Sequence, residues 1–164
     1  MYCSLQGFQS QYGKVLKEIA IAYDEVGEIH TRSFQPPFEW TLLDDKSKRT
    51  NWWLTKHYHG LEWDEGRVPY HEMKMTLCDL LMHGRNTTTY VAGLEQVRWL
   101  RDIMHDCKLT ICDLQEEYGC PSFRKLTAAN REKHQLTCYN SDHHSVCARK
   151  NAQLLQDWFW KQRH

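Results

Sequence analysis

The chain has 164 residues, a formal net charge of zero from 21 Lys/Arg and 21 Asp/Glu, and 41% hydrophobic residues. That length suits one packed domain over 1–164, large enough to bury about two thirds of its unfolded surface without disulfides. Balanced charge argues against a binder held to nucleic acid by bulk electrostatics alone, and no stretch reaches the roughly 18 apolar residues of a membrane span. The first residues lack a basic region followed by an apolar run, so an intracellular chain without membrane association is expected.

Residues 1–8 are apolar enough for a short strand, and 15–23 alternate in the manner of a half-buried strand. A turn from Asp24 to Gly27 leads to a third extended run at 28–34, stopped by Pro36 and Pro37, so these segments read as a meander. Residues 38–63 hold Trp40, Trp52, Trp53, Tyr58 and Trp63. Rings of that size call for burial, which predicts an ordered, irregular connection around a short helix. The spacing of Met73, Leu77, Leu80 and Leu81, with Pro69 near the first turn, predicts a helix over 68–84. A strand at 87–91 ends at Gly93. It precedes an amphipathic helix at 94–107 with Leu94, Val97, Leu100 and Met104 on one face. A strand at 109–114, a short helix at 121–126 and a closing helix at 148–159 complete the order. Three strands, then helix, strand, helix, strand and helices, predict an α/β fold: an RNase H-like mixed sheet flanked by helices.

Seven cysteines, an odd number, read as core thiols plus a metal site rather than a disulfide framework. The segment Cys138-Tyr-Asn-Ser-Asp-His143-His144-Ser-Val-Cys147 brings two thiolates and an imidazole to the mouth of the closing helix, a donor set suited to zinc. A tetrahedral site needs one more ligand. Glu18 is the candidate, because a buried strand carboxylate costs on the order of several kcal/mol unless it is neutralised. Strand parity sends Glu18 and Ala20 to one face and Ile19 and Ile21 to the other. Glu18 then lies in solvent unless a second helical layer covers its face as well. Two other constellations are weaker. Cys107, Cys112 and Cys120 with His105 lack a paired Cys-x2-Cys, and core thiols explain them better. His57, His59 and His71 with Asp64 and Glu65 are spread over loops and suit surface or hydrogen-bonding roles.

Charge is unevenly placed. Residues 121–164 hold eight Lys/Arg against three Asp/Glu, whereas 1–120 hold 13 against 18. A phosphate-facing surface is therefore expected at Arg124, Lys125, Arg131, Lys133, Arg149 and Lys150. Trp158 and Trp160 beside Lys161 and Arg163 offer a stacking clamp, although their spacing with Leu154 and Leu155 fits core packing.

In its element order the chain resembles the DEDDh branch of RNase H-like 3′–5′ exonucleases, whose acidic motifs hold two catalytic metal ions. The Asp-x-Glu of the first strand reads Ser4-Leu5-Gln6 here, and the second motif, Val91 to Gln96, offers only a displaced Glu95. The third has His144 followed five residues later by Arg149. A fold that keeps this layout and loses the acids resembles the Maelstrom domain of the piRNA pathway, which carries a Glu-Cys-His-Cys zinc site. Lys17-Glu18-Ile19-Ala20-Ile21, Gly27-Glu-Ile-His and Phe34-Gln-Pro-Pro are similar to that family's second and third strands. The resemblance implies zinc held by Glu18, Cys138, His144 and Cys147. The family's histidine lies three residues after the first cysteine, where this chain has Ser141, so His143 stands as the alternative to His144.

What the resemblance implies for function is a catalytically degenerate, zinc-stabilised domain that binds single-stranded RNA or a silencing-pathway protein in small-RNA or transposon silencing. It also implies divalent-independent RNA cleavage, which ranks below binding because no general acid and base pair stands out. Two alternatives stay open. One is an active metal-dependent 3′–5′ exonuclease or RNA endonuclease rebuilt from Glu18, Glu95, Asp102 and Asp113, which would favour magnesium or manganese. The other is a pure protein-interaction module working through the tryptophan-rich 38–63 segment.

Overall fold

The computed structural model describes residues 1–24, 27–82, 88–129 and 147–163. Strands β1 (Tyr2–Ser10), β2 (Gly13–Ala22) and β3 (Ile29–Ser33) form the expected antiparallel meander. Strands β4 (Thr89–Val91) and β5 (Ile111–Asp113) add in parallel on the other side of β1, giving a five-stranded sheet of order β3-β2-β1-β4-β5. The architecture is mixed α/β and compatible with an RNase H-like fold. Its helices are α1 (Asp45–His57), α2 (Met73–Leu81), α3 (Leu94–Ile103), α4 (Leu114–Tyr118), α5 (Phe123–Ala129) and α6 (Ala148–Arg163). Among the described residues no helix is long and apolar enough to cross a membrane.

Strand periodicity sorts the sheet into two buried faces. Cys3, Leu5, Ile19 and Ile21 pack against Leu77 and Leu81 of α2 and Val97 and Leu100 of α3. Tyr2, Ala20 and Ala22 pack on the opposite face against Ala152, Leu155 and Phe159 of α6. Small residues on both sides, Ala20 and Ala22 on the strand and Ala148 and Ala152 on the helix, let α6 settle closely on the sheet. Phe159 anchors its far end, with ring centroids 5.0 Å from Tyr90, 5.2 Å from Tyr118 and 5.8 Å from Tyr2. Because both faces are covered, β2 is buried without interruption from Val15 to Ala22.

The β1–β2 register shifts between Gln6 and Gly7: Gln6 opposes Glu18, while Gly7 opposes Leu16. Lys17 is thus the extra residue of a β-bulge, the device that re-aims a side chain out of the alternation. Its Nζ donates to the carbonyls of Trp63, at 2.7 Å, and Glu65, pinning the tryptophan-rich segment to β2. Burial pulls the Lys17 ammonium down to about 8, against the opposing pull of Asp64 and Glu65. Gly7 is demanded by the same close approach, since a Cβ there would lie 2.0 Å from the Val15 carbonyl oxygen.

Strand β4 pairs with β1 only at Tyr2 and Tyr90, which leaves the rest of that β1 edge without a strand. Side chains take the strand's place. Gln96 accepts from the Leu5 N–H at 2.9 Å and donates to its carbonyl at 3.2 Å. His59 Nε2 meets the Gly7 carbonyl at 2.9 Å. Asn51 accepts from the Gln9 N–H and donates to its carbonyl, both at 2.8 Å. Every second residue of the edge is satisfied in this way, as buried backbone requires.

The 38–63 connection is ordered, but its helix is longer than the short one expected. Asp44 caps α1 by accepting from Ser47 N at 2.8 Å. Trp63 packs with Phe8, Val15 and Leu43 in a third cluster that includes Trp40 and Leu54 at its margin. The expected burial of all the tryptophans fails at two of them: Trp52 and Trp53 are 57% and 51% exposed. The reason is helical. The inward positions of α1 are Ser47, Asn51 and Leu54, spaced at four and three residues, and these turn 52 and 53 outward. Elsewhere, the 68–84 helix divides into a 3-10 turn at Tyr70–Glu72 and α2, and the 94–107 helix stops at Ile103. Helix α4 was not expected. Leu114 counted as the end of a strand, whereas Asp113 caps a helix there by accepting from Gln115 N at 2.9 Å.

Candidate metal centre

Glu18 lies on the sheet face covered by α6, in register with Gln6 and two residues before Ala20. It is 5% exposed. Burial pushes its carboxyl up to about 7, opposed by a hydrogen bond from the backbone N–H of Ala148. That N–H belongs to the first turn of α6, where amides have no partner within the helix and the macrodipole favours an anion. Desolvation still outweighs that help. A cation at the same spot would favour the charged form of this carboxyl.

Cys147 immediately precedes this turn and is 3% exposed. Its carbonyl accepts from Asn151 N at 2.9 Å, which makes it the N-cap residue of α6. Of the four expected ligands, Glu18 thus contacts the first turn of α6 and Cys147 is the residue that opens that helix; a carboxylate and a thiol are both donors that zinc accepts. Cys138, His143 and His144 lie outside the described residues, as do Arg131 and Lys133. Among the described residues no group of three or more His, Cys, Asp or Glu side chains is placed to hold a metal.

The face that α6 covers holds neutral polar groups near Glu18. Ser4 and Gln6 on β1 are 1% and 6% exposed, and Asn151 on α6 is 2% exposed. The Ser4 hydroxyl and the Asn151 amide nitrogen have no hydrogen-bond partner among the described residues. The acids weighed for a rebuilt centre are scattered. Glu95 is surface-exposed and paired with Lys14 at 2.9 Å. Asp102 is exposed on α3. Asp113 is occupied by the N–H groups of Gly93, at 2.8 Å, and Gln115.

The other constellations separate too. Cys112 and Cys120 are buried, with burial pushing their thiols up to about 12 and about 11. Cys107 instead sits 3.7 Å from the sulfur of Cys78. His59 is buried at the β1 edge, where Leu61 N donates to its Nδ1 at 3.0 Å, while His57 and His71 are exposed. Of the expected basic surface, Arg124 and Lys125 are exposed on α5. Arg149 and Lys150 are half-buried, and Arg149 donates to the Ile29 carbonyl at 3.4 Å. Trp158 packs at the margin of the α6 core, and Trp160 is partly exposed. A cleft of about 720 Å³ opens beside Glu18, lined by Arg32, Arg67, Arg149 and Glu65 among others.

No protein-family model matches the chain, no curated protein is similar to it, and no solved structure matches it.

Proposed function

We propose that this chain is a catalytically degenerate RNase H-like domain of Maelstrom type, stabilised by one zinc ion, that binds single-stranded RNA in small-RNA or transposon silencing. The observation that carries this reading is the meeting of buried Glu18 with the N-terminus of α6, directly beside Cys147. Glu18, Cys138, His144 and Cys147 would hold the metal, with His143 as the alternative to His144. Four protein ligands leave no open position for water, so the ion's role is structural: it fastens α6 to β2.

The degenerate character is supported by Ser4 and Gln6, neither of which can serve as an anionic ligand to a hard divalent cation as a carboxylate does. The rebuilt-nuclease alternative is disfavoured by the placement of Glu95 and Asp102 on the surface and of Asp113 at a helix cap. Silencing-pathway proteins as further partners follow from the resemblance, and the cytoplasm or nucleus is the place proposed from the character of the first residues.

The test is incubation of the purified chain with end-labelled single-stranded RNA, with magnesium, with manganese and with neither. The expected result is retention of intact RNA in all three. Divalent-dependent shortening of the strand would overturn the degenerate assignment, and absence of any retention would overturn RNA binding.

A further inference from the structure

Within α1, residues 46–57 read Lys-Ser-Lys-Arg-Thr-Asn-Trp-Trp-Leu-Thr-Lys-His. That window holds four cations and no carboxylate, although Asp45 opens the helix just before it, in a chain whose net charge is zero. With Ser47, Asn51 and Leu54 facing the protein, a turn of 100° per residue places Arg49, Trp52, Trp53 and Lys56 together on the outward side. All four are exposed, as are Lys46 and His57. Lys48, half-buried at the flank, reaches back to the Thr41 carbonyl at 3.3 Å. Among the described residues none of the four cations forms an ion pair. The i,i+4 rows run Lys48-Trp52-Lys56 and Asp45-Arg49-Trp53-His57, so Trp52 is flanked along the helix by two cations and Trp53 by Arg49 and His57, with the exposed Asp45 at the head of its row. The His57 ring lies 5.7 Å from Trp53 and 6.1 Å from Trp52.

Exposure of two adjacent tryptophans calls for an explanation beyond packing, since the third cluster under α1 is closed by Trp63 and Leu54 without them. Charge complementarity identifies the occupant. A ligand for this face must present flat π surfaces to the indoles and a repeated negative charge to the cations, which is the chemistry of a single-stranded polynucleotide. We infer that the outward face of α1, with Trp52 and Trp53 as stacking platforms and Arg49 and Lys56 as phosphate contacts, is the single-stranded RNA-binding surface of this chain. This assignment rests on the RNA-binding reading above, and it places the contact on α1 rather than on the C-terminal cations. Stacking tolerates any base, so the surface binds without sequence choice.

The experiment is fluorescence anisotropy of a labelled uridine RNA of about 12 nucleotides, titrated with the full chain and three variants. These are Trp52→Ala/Trp53→Ala, Arg49→Glu/Lys56→Glu and Arg124→Glu/Lys125→Glu, each first checked for an unchanged melting temperature. The inference expects the two α1 variants to weaken binding by about tenfold or more, while the Arg124/Lys125 variant stays within about threefold of the parent. Trp52→Phe/Trp53→Phe should recover most of the affinity, which a merely structural role would not require. Binding by the parent that survives both α1 variants would overturn the α1 assignment and leave RNA binding standing. No binding by the parent would overturn both. Self-association of the chain that is lost in the Trp52→Ala/Trp53→Ala variant, with RNA affinity unchanged, would make the face a contact between copies instead and also overturn the inference.

Discussion

The carboxylate of Glu18 accepts a hydrogen bond from the backbone N–H of Ala148, so an acid of β2 and the first turn of α6 meet under cover from solvent. The pairing links the opening meander to the closing helix. It also determines how the site responds to pH.

With metal held off by a chelator, Glu18 is a carboxyl whose folded value, about 7, lies above the ordinary 4.5 because burial disfavours its charge. A raised acid binds more protons folded than unfolded. Its stabilising contribution is present below the unfolded value and is lost as pH rises through 7. Chelated chain should therefore lose ~3 kcal/mol from this group between about pH 4.5 and pH 8. Glu18→Gln should remove that part of the slope. Urea unfolding of both at several pH values checks it, and equal slopes would contradict the assigned burial.

Phe159 closes the α6 side of the sheet among Tyr2, Tyr90 and Tyr118. Phe159→Ala should cost ~3–5 kcal/mol, a fall in melting temperature of roughly 10 °C for a chain of this size. Gln162→Ala, exposed at the end of the same helix, should stay within ~0.5 kcal/mol. Thermal denaturation of the pair tests whether Phe159 is the anchor.

Gly7 faces the Val15 carbonyl oxygen, 2.0 Å from where a Cβ would sit. The obstacle is backbone and cannot rotate away. Gly7→Ala should destabilise by upwards of ~3 kcal/mol or abolish soluble expression. A stable Gly7→Ala chain would show that the bulge at Lys17 can relax.

Asn51 replaces a strand at the β1 edge by bonding both backbone groups of Gln9. Asn51→Ala strands a donor and an acceptor, at a cost of ~1–3 kcal/mol. Asn51→Asp should cost a similar amount, because it keeps the acceptor and sets an oxygen against the Gln9 carbonyl. Thr50→Ala, exposed one residue earlier, is the control expected near zero, and chemical denaturation measures all three.

The sheet was legible in the sequence because its signals are local: alternation in β2, the stop at Pro36 and Pro37, and the helical spacing of Leu77, Leu80 and Leu81. The length of α1 was not. Its inward positions include Ser47 and Asn51, so the helix carries no continuous apolar stripe to announce it. The edge contacts of Asn51, His59 and Gln96 were illegible for another reason, since each bonds backbone that is distant in the chain. Glu18 lies between these cases. Parity placed it correctly opposite Ile19 and Ile21, but whether that face met solvent depended on α6, which no pattern within β2 encodes. The outward cations of α1 are visible as a run in which acids appear only at its start, at Asp44 and Asp45. Net charge hides them, because it favours the C-terminal third.

The most direct test of the account is elemental mass spectrometry of the purified chain alongside Glu18→Ala, Cys147→Ser and, as a control at a half-buried thiol outside the site, Cys107→Ser. The account predicts one zinc per chain in the parent and in Cys107→Ser, and loss of zinc in Glu18→Ala and Cys147→Ser. A parent without zinc, or zinc indifferent to Cys147→Ser, would contradict it. Zinc lost in Cys147→Ser but kept in Glu18→Ala would exclude Glu18 as a ligand and break the proposed link between β2 and α6.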